Sequence, residues 1–226
     1  MRYFLKSLGW LLLIAPVLVR GQVIADRATL NSIVGGSATT VDFQSFSGMS
    51  SASAVVIAGI SALDSTTVAN SQGPNLVPAG VLFKFPNVGD PQWNDAGYFG
   101  APSREILSNH SPLEINFAVA ATAFGLDLRA FQGYPSTATV TVYAADKSTV
   151  LATIPNLSLA TSGVPIFFGY RATGGIGKVL LENSGQSWSP LIDNLTFTVI
   201  PEPSGCALLG CGIVLLVCVR RRVRLG

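Results

Sequence analysis

Leu113-Glu114-Ile115-Asn116-Phe117-Ala118-Val119 is the stretch that decides the fold. Leu113, Ile115, Phe117 and Val119 alternate with Glu114, Asn116 and Ala118, the period-two pattern of a strand with one face buried. Leu195, Phe197 and Val199 repeat that pattern against Asn194, Thr196 and Thr198. Between them, runs rich in β-branched and aromatic residues at 124–131, 139–144, 149–154, 164–170 and 176–182 read as further strands. The breaks are turn chemistry: Gly133-Tyr134-Pro135, Asp146-Lys147, Thr173-Gly174-Gly175 and Asn183-Ser184-Gly185. Upstream, 39–46 reads as an opening strand and 81–85 as another, while the Ser/Ala-rich segment 47–75, with its apolar island 55–60, carries no assigned element. No amphipathic helix stands out in the later half. The expected fold is all-β, an antiparallel β-sandwich of jelly-roll-like type over residues 22–199.

Both ends of the chain have a different character. Arg2 and Lys6 precede the apolar run Ser7–Val19, and small residues follow, with Val19 and Gly21 placed for a cut after Gly21 or Val23 and Ala25 for a cut after Ala25. Residues 1–21 therefore read as a secretory signal peptide, with the cut as late as residue 25 in the alternative. At the other end stand Pro201-Glu202-Pro203, the apolar run Gly205–Val219 and then Arg220, Arg221, Arg222 and Arg224. Each proline fixes its own φ and pushes the residue before it out of helix. A helix over 205–219 would be roughly 22 Å long, short of the ~30 Å hydrocarbon core unless the arginines snorkel. Arginines after a span stay on the cytoplasmic side.

This C-terminal order, Pro-Glu-Pro, short apolar helix and arginine cluster over 200–224, resembles the PEP-CTERM protein-sorting signal of bacterial envelope proteins. The resemblance implies a transmembrane helix at 205–219, recognition by an exosortase in the membrane and cleavage near Pro201-Glu202-Pro203. It implies an inner-membrane intermediate after passage through the secretion translocon. Release to the cell surface or extracellular polysaccharide matrix of a Gram-negative-type bacterium then follows. The ectodomain runs Phe-Gly-Leu-Asp-Leu, Val-Thr-Val-Tyr, Phe-Phe-Gly-Tyr and Ile-Asp-Asn-Leu-Thr-Phe are similar to jelly-roll domains that look like carbohydrate-binding modules.

Charge and cysteine usage narrow the function. Seven of the 14 basic residues lie at the two ends (Arg2, Lys6, Arg20, Arg220, Arg221, Arg222, Arg224); with Glu202 set aside, the remaining seven face eleven acids, so the stretch between is near −4. That balance leaves no basic patch for nucleic acid. Cys206, Cys211 and Cys218 all lie in the apolar tail, so the exported part has neither a disulfide nor a thiol nucleophile.

The candidate ligand loop is Gly89 to Gly100, where Trp93 and Tyr98 stand among Asp90, Asn94 and Asp95. Sugars need flat apolar faces for their C–H surfaces and polar groups for their hydroxyls. The competing reading has Trp93 and Phe99 folding back over one end of the sandwich. Trp188 in Gln186-Ser187-Trp188-Ser189-Pro190 is similar, with fewer polar neighbours. Asp42 in the first strand and Asp193 in the last are candidate ligands of a structural calcium, because the jelly-roll resemblance brings those strands together; each aspartate alternatively caps a turn or a neighbouring amide. No other cofactor is expected. His110, the single histidine, lies in a polar loop, and no Gly-x-Ser-x-Gly or His-Glu-x-x-His motif accompanies it. Asp90, Asp95, Glu105, Glu114 and Glu182 are the acids open to glycoside hydrolysis. The reading is a non-catalytic structural or adhesive surface protein, with a carbohydrate-binding module as the alternative and a small hydrolase third.

Replacing Arg220, Arg221, Arg222 and Arg224 with Ser removes the charge that stops the short helix in the membrane. Cell fractionation is expected to show more uncleaved precursor outside the membrane; unchanged retention would show that these arginines are not the stop.

Overall fold

The computed structural model describes residues 21–44, 54–56, 61–65, 77–86, 90–98, 103, 105–108, 110–131, 133–134, 136–160 and 164–199. The expected signal peptide up to residue 20, the helix at 205–219, the Pro201-Glu202-Pro203 motif and Arg220, Arg221, Arg222 and Arg224 lie outside the described residues. Among those described, no helix is long and apolar enough to cross a membrane.

The chain forms β1 (Gly21–Ile24), α1 (Arg27–Val34), a 3-10 turn, then β2 (Thr39–Val41), β3 (Ala54–Val56), β4 (Ala62–Leu63), β5 (Val81–Lys84) and β6 (Pro91–Asn94). There follow β7 (Glu105–Ser108), β8 (Leu113–Arg129), β9 (Ser136–Ala144), β10 (Val150–Leu159), β11 (Ile166–Ser184) and β12 (Leu191–Val199). All pairings are antiparallel, in the order β10-β9-β11-β8-β12-β7-β6-β3, with β1 on β11, β2 on β12, and β5 joining β4 to β8.

Two strands hold this sheet together and curl it. β8 has 17 residues and β11 has 19, and they pair with each other along both halves. The first half of β8 takes β5 as its other neighbour and the second half takes β12. The Thr173-Gly174-Gly175 cluster, expected as a turn between two strands, is a bulge inside β11. Register jumps from Arg171↔Ala123 to Ile176↔Ala121, and Gly175 takes φ 83°. The chain bends there without reversing, because the residues on either side stay hydrogen-bonded to β8. For the same reason 113–119 and 124–131 are one bent strand and not two.

The bend turns the two halves' apolar faces toward each other. Phe117, from the first half of β8, lies 6.0 Å from Phe124 of the second half and 5.1 Å from Phe197 of β12. Phe124 in turn lies 6.0 Å from Phe168 of β11. These rings, with Val140, Val142, Val179, Leu181 and Leu195, form the enclosed core. The β9–β10 hairpin closes on Asp146, whose carboxyl is held down at about 2 by the Thr149 hydroxyl and the Thr149 and Ser148 N–H groups.

A helix covers the outer face of the second half. Asp26 caps α1 by accepting from Thr29 N–H at 2.7 Å, an interaction that keeps its carboxyl below the usual range. The face beneath is made flat by Gly125 and Gly169, which are directly opposite across β8 and β11. A Cβ on Gly125 would stand 2.6 Å from the Phe167 ring and 2.7 Å from Leu30. Leu30 and Val34 seat there with Ile24, Ala123 and Phe167.

Leu30→Ala empties that seat, since Leu30 is completely buried. The cost is expected at about 2–3 kcal/mol, read as a melting temperature lower by roughly 5–10 °C. A change under ~1 °C would mean that α1 contributes little to the fold.

Candidate functional site

Described residues of three connections meet at one end of the curled sheet: 110–112, 130–131 with 133–134, and 185–190. They are stitched by Ser111 N–H to Ser187 O (2.7 Å), Ser189 N–H to Ser108 O (2.9 Å), Ser108 N–H to the Ser189 hydroxyl (2.9 Å) and Asn183 N–H to the Ser111 hydroxyl (3.2 Å). Trp188 stands at their centre. Phe131 meets it edge-to-face at 5.3 Å and 87°, Tyr134 at 6.1 Å and 85°. Tyr98 and Leu191 pack against the same group. Phe131 is buried, Trp188 and Tyr98 are half-buried, and Tyr134 is 48% exposed.

The loop expected to bind a ligand is placed differently. Pro91–Asn94 is a strand, Trp93 is 1% exposed with Phe43 edge-on at 5.3 Å, and Asn94 and Asp95 are buried. A ring enclosed in the core has no face for a sugar. Trp93 closes the core, as the competing reading had it, while Phe99 lies outside the described residues. Among the described residues of this loop, Tyr98 reaches the aromatic end, and Asp90 is half-buried just before β6. Tyr134 was not singled out in the sequence; its Gly-Tyr-Pro context read only as a turn.

On the outer face, Glu105 (β7), Asp193 (β12) and Asp127 (β8) fall in one row: Asp193 pairs with Asp127, and Ile192↔Ile106 sets Glu105 on its other side. Arginines hold both ends of the row. Arg129 chelates Glu105 in a fully buried pair. Arg27 binds Asp127 at 2.7 Å, donates to Asn194 O and the Thr196 hydroxyl, and stacks over Phe167 at 5.0 Å. Asp193, in the middle, accepts from Asn194 N–H at 2.7 Å, the Asn194 amide at 3.1 Å and the Ser103 hydroxyl. Burial pushes its carboxyl up to about 6, with Glu105 and Asp127 adding repulsion against those hydrogen bonds. Burial likewise raises Glu105 against the pull of Arg129.

β2 pairs with β12, and Asp42 directly follows β2 instead of lying in the first strand, which is β1. Asp42 is exposed and accepts from Gln44 N–H at 3.1 Å, and both Asp193 oxygens already accept hydrogen bonds. Among the described residues no group of three or more His, Cys, Asp or Glu is spaced to hold a metal ion. Of the remaining acids, Glu114 accepts from Asn116 at 3.3 Å and Glu182 is exposed, as is His110.

At the opposite end a groove of about 700 Å³ is lined by Gln22, Ile33, Thr122, Arg171 and Thr173. Its charged group, Arg171, is committed to the Gln22 side chain.

No protein-family model matches the chain, and no curated protein matches it. Among solved structures it is similar to the K2 cleaved adhesin domain of Lys-gingipain, at 14% identity over 72% of this chain and 99% of that one, with a TM-score of 0.34. A likeness of that size carries no inference about ligand or role.

Asp193 gives a pH signature with a definite sign. Its folded pKa of about 6 lies above the ordinary aspartate value of 3.8, so the stability it contributes is complete below about pH 4 and is lost as pH rises through 6. Asp193→Asn is therefore expected to raise the melting temperature at pH 7 by roughly 2–5 °C and to have little effect at pH 4. A melting temperature lowered at pH 7, or a calcium-dependent gain in the unmodified protein that Asp193→Asn abolishes, would reverse this account and restore calcium.

Proposed function

We propose that the chain is an exported bacterial surface or extracellular-matrix protein, sorted through its C-terminal tail and cleaved at Pro201-Glu202-Pro203 by an exosortase. The curled sheet is read as a jelly-roll-like sandwich with a structural or adhesive role and no catalysis. The observation that carries this is the order of Pro-Glu-Pro, apolar run and arginines behind an N-terminal export signal.

The topology supports it. Gly21 lies opposite Ala172, and Val199 lies opposite Ala121, so the first and last residues of the sheet lie at the same end. β1 and β12 are separated there by β11 and β8, about 15 Å at ~4.8 Å per strand. A domain so tethered stands on that end. The aromatic group lies beyond Arg129, about 26 Å further along β8 at ~3.3 Å per residue, and faces away from the membrane. β1 also favours the cut after Gly21 over the one after Ala25. The later cut would remove Val23 and Ile24, the second of which is 3% exposed beneath α1.

Glu202→Ala is expected to leave export intact and trap the protein in the membrane, because cleavage and not translocation is lost. Mass spectrometry of the mature C-terminus is the measurement. An endpoint at Gly226 in cells that contain the exosortase would overturn the proposal.

A further inference from the structure

The sequence segments that join the strands at the end carrying Trp188, 108–112, 130–135, 160–165 and 185–190, contain no Asp, Glu, Lys or Arg. They consist of hydroxyl and amide residues, Gly, Pro, Ala, Val, His110 and the three rings Phe131, Tyr134 and Trp188. The β9–β10 turn at the opposite end carries Asp146 and Lys147, as solubility favours.

The rings are fixed as well as accessible. Phe131 and Tyr134 both meet Trp188 near perpendicular, so its plane is set by packing before any ligand arrives. Tyr134 is 48% exposed, and His110 and Ser187 in the adjoining connections are exposed, with Gln186 half-buried. Beneath the connections, Asn183 and Ser136 follow the inward-facing positions of Leu181 on β11 and Ala138 on β9. The Ser136 hydroxyl and both polar atoms of the Asn183 amide are enclosed without a hydrogen-bond partner among the described residues. Leaving such groups unpaired costs stability.

We infer that this end binds a neutral saccharide chain, with Trp188 and Tyr134 as its stacking surfaces. A sugar ring offers an apolar C–H face, a rim of hydroxyls and no charge, and each finds its counterpart here: ring faces, Ser and amide groups, and connecting segments without acidic or basic residues. An anionic polymer or a nucleic acid would need the lysines and arginines that these connections lack. The inference makes no use of the sorting signal, so failure of tail cleavage and failure of binding are separate results.

The test uses the full chain, extracted in a detergent without a sugar headgroup, in affinity electrophoresis through gels containing dextran, galactomannan or xyloglucan, with alginate and heparin as anionic comparisons. Retardation by at least one neutral polysaccharide is expected. Trp188→Ala and Tyr134→Ala should each weaken it about tenfold, the loss of one stacking surface. Ser148→Ala in the opposite hairpin should leave it unchanged. Tyr134 is exposed enough to be removed without unfolding, which a matching melting curve verifies. Migration unaffected by every neutral polysaccharide would overturn the inference. So would retardation by alginate or heparin alone, or wild-type binding in both ring variants.

Discussion

The continuous pairing of β8 with β11 is the constraint on which the rest of this structure depends. A sheet that folds over itself must either break its backbone hydrogen bonds at the fold or carry them around it. Buried peptide groups left unpaired are costly, so carrying them around is favoured. Here the ladder survives because β11 spends four residues, Ala172 to Gly175, where β8 spends one. Gly175 can take the positive φ such a bulge demands. Once the bend is made, Phe117 and Phe124 of a single strand face each other across the core, and β5 and β12 are committed to different layers.

The outer face shows a second balance. Three carboxylates on three adjacent strands repel one another, and only the outer two have arginines. Asp193 is buried between them with no arginine among the described residues, and that burial, with the repulsion of its two neighbours added, holds its proton to unusually high pH against its hydrogen bonds. The local backbone is shaped to supply those bonds. Asn194 sits at φ 50° in a register shift between Asp193 and Thr196, which leaves its N–H and amide free to reach the Asp193 carboxylate. Arg27 ties α1 to this row while Leu30 and Val34 seat on the glycine strip, so the helix is fixed by charge at its start and by burial along its length.

Much of the strand pattern was legible in the sequence because alternation survives wherever one face of a strand is buried. Val140 and Val142, Val179 and Leu181, and Leu195 and Phe197 all announce themselves that way. The bend was not legible, because Thr173-Gly174-Gly175 has the same composition whether the chain reverses or merely bulges; the partner strand makes the difference. α1 was missed for a related reason. Its eight residues offer few apolar positions, and the flat strip that receives them is made by glycines from two other strands. The strand around Trp93 was not legible, because four residues that begin with Pro91 between Gly89 and Gly97 look like a loop until β3 and β7 are seen to pair on either side of them.

The sequence by itself determined the all-β class, the absence of disulfides between the ends, the net negative charge of that stretch and the ordered motifs at both termini. These follow from composition and local periodicity, which need no knowledge of what a residue touches. Tertiary structure alone decided that Trp188 and Tyr134 share one end and that Trp93 does not join them. It alone set Glu105, Asp193 and Asp127 in a row, and brought the first and last residues of the sheet out together. Each depends on contacts between residues far apart in the chain, and strand register, which no single strand encodes, is what brings them together.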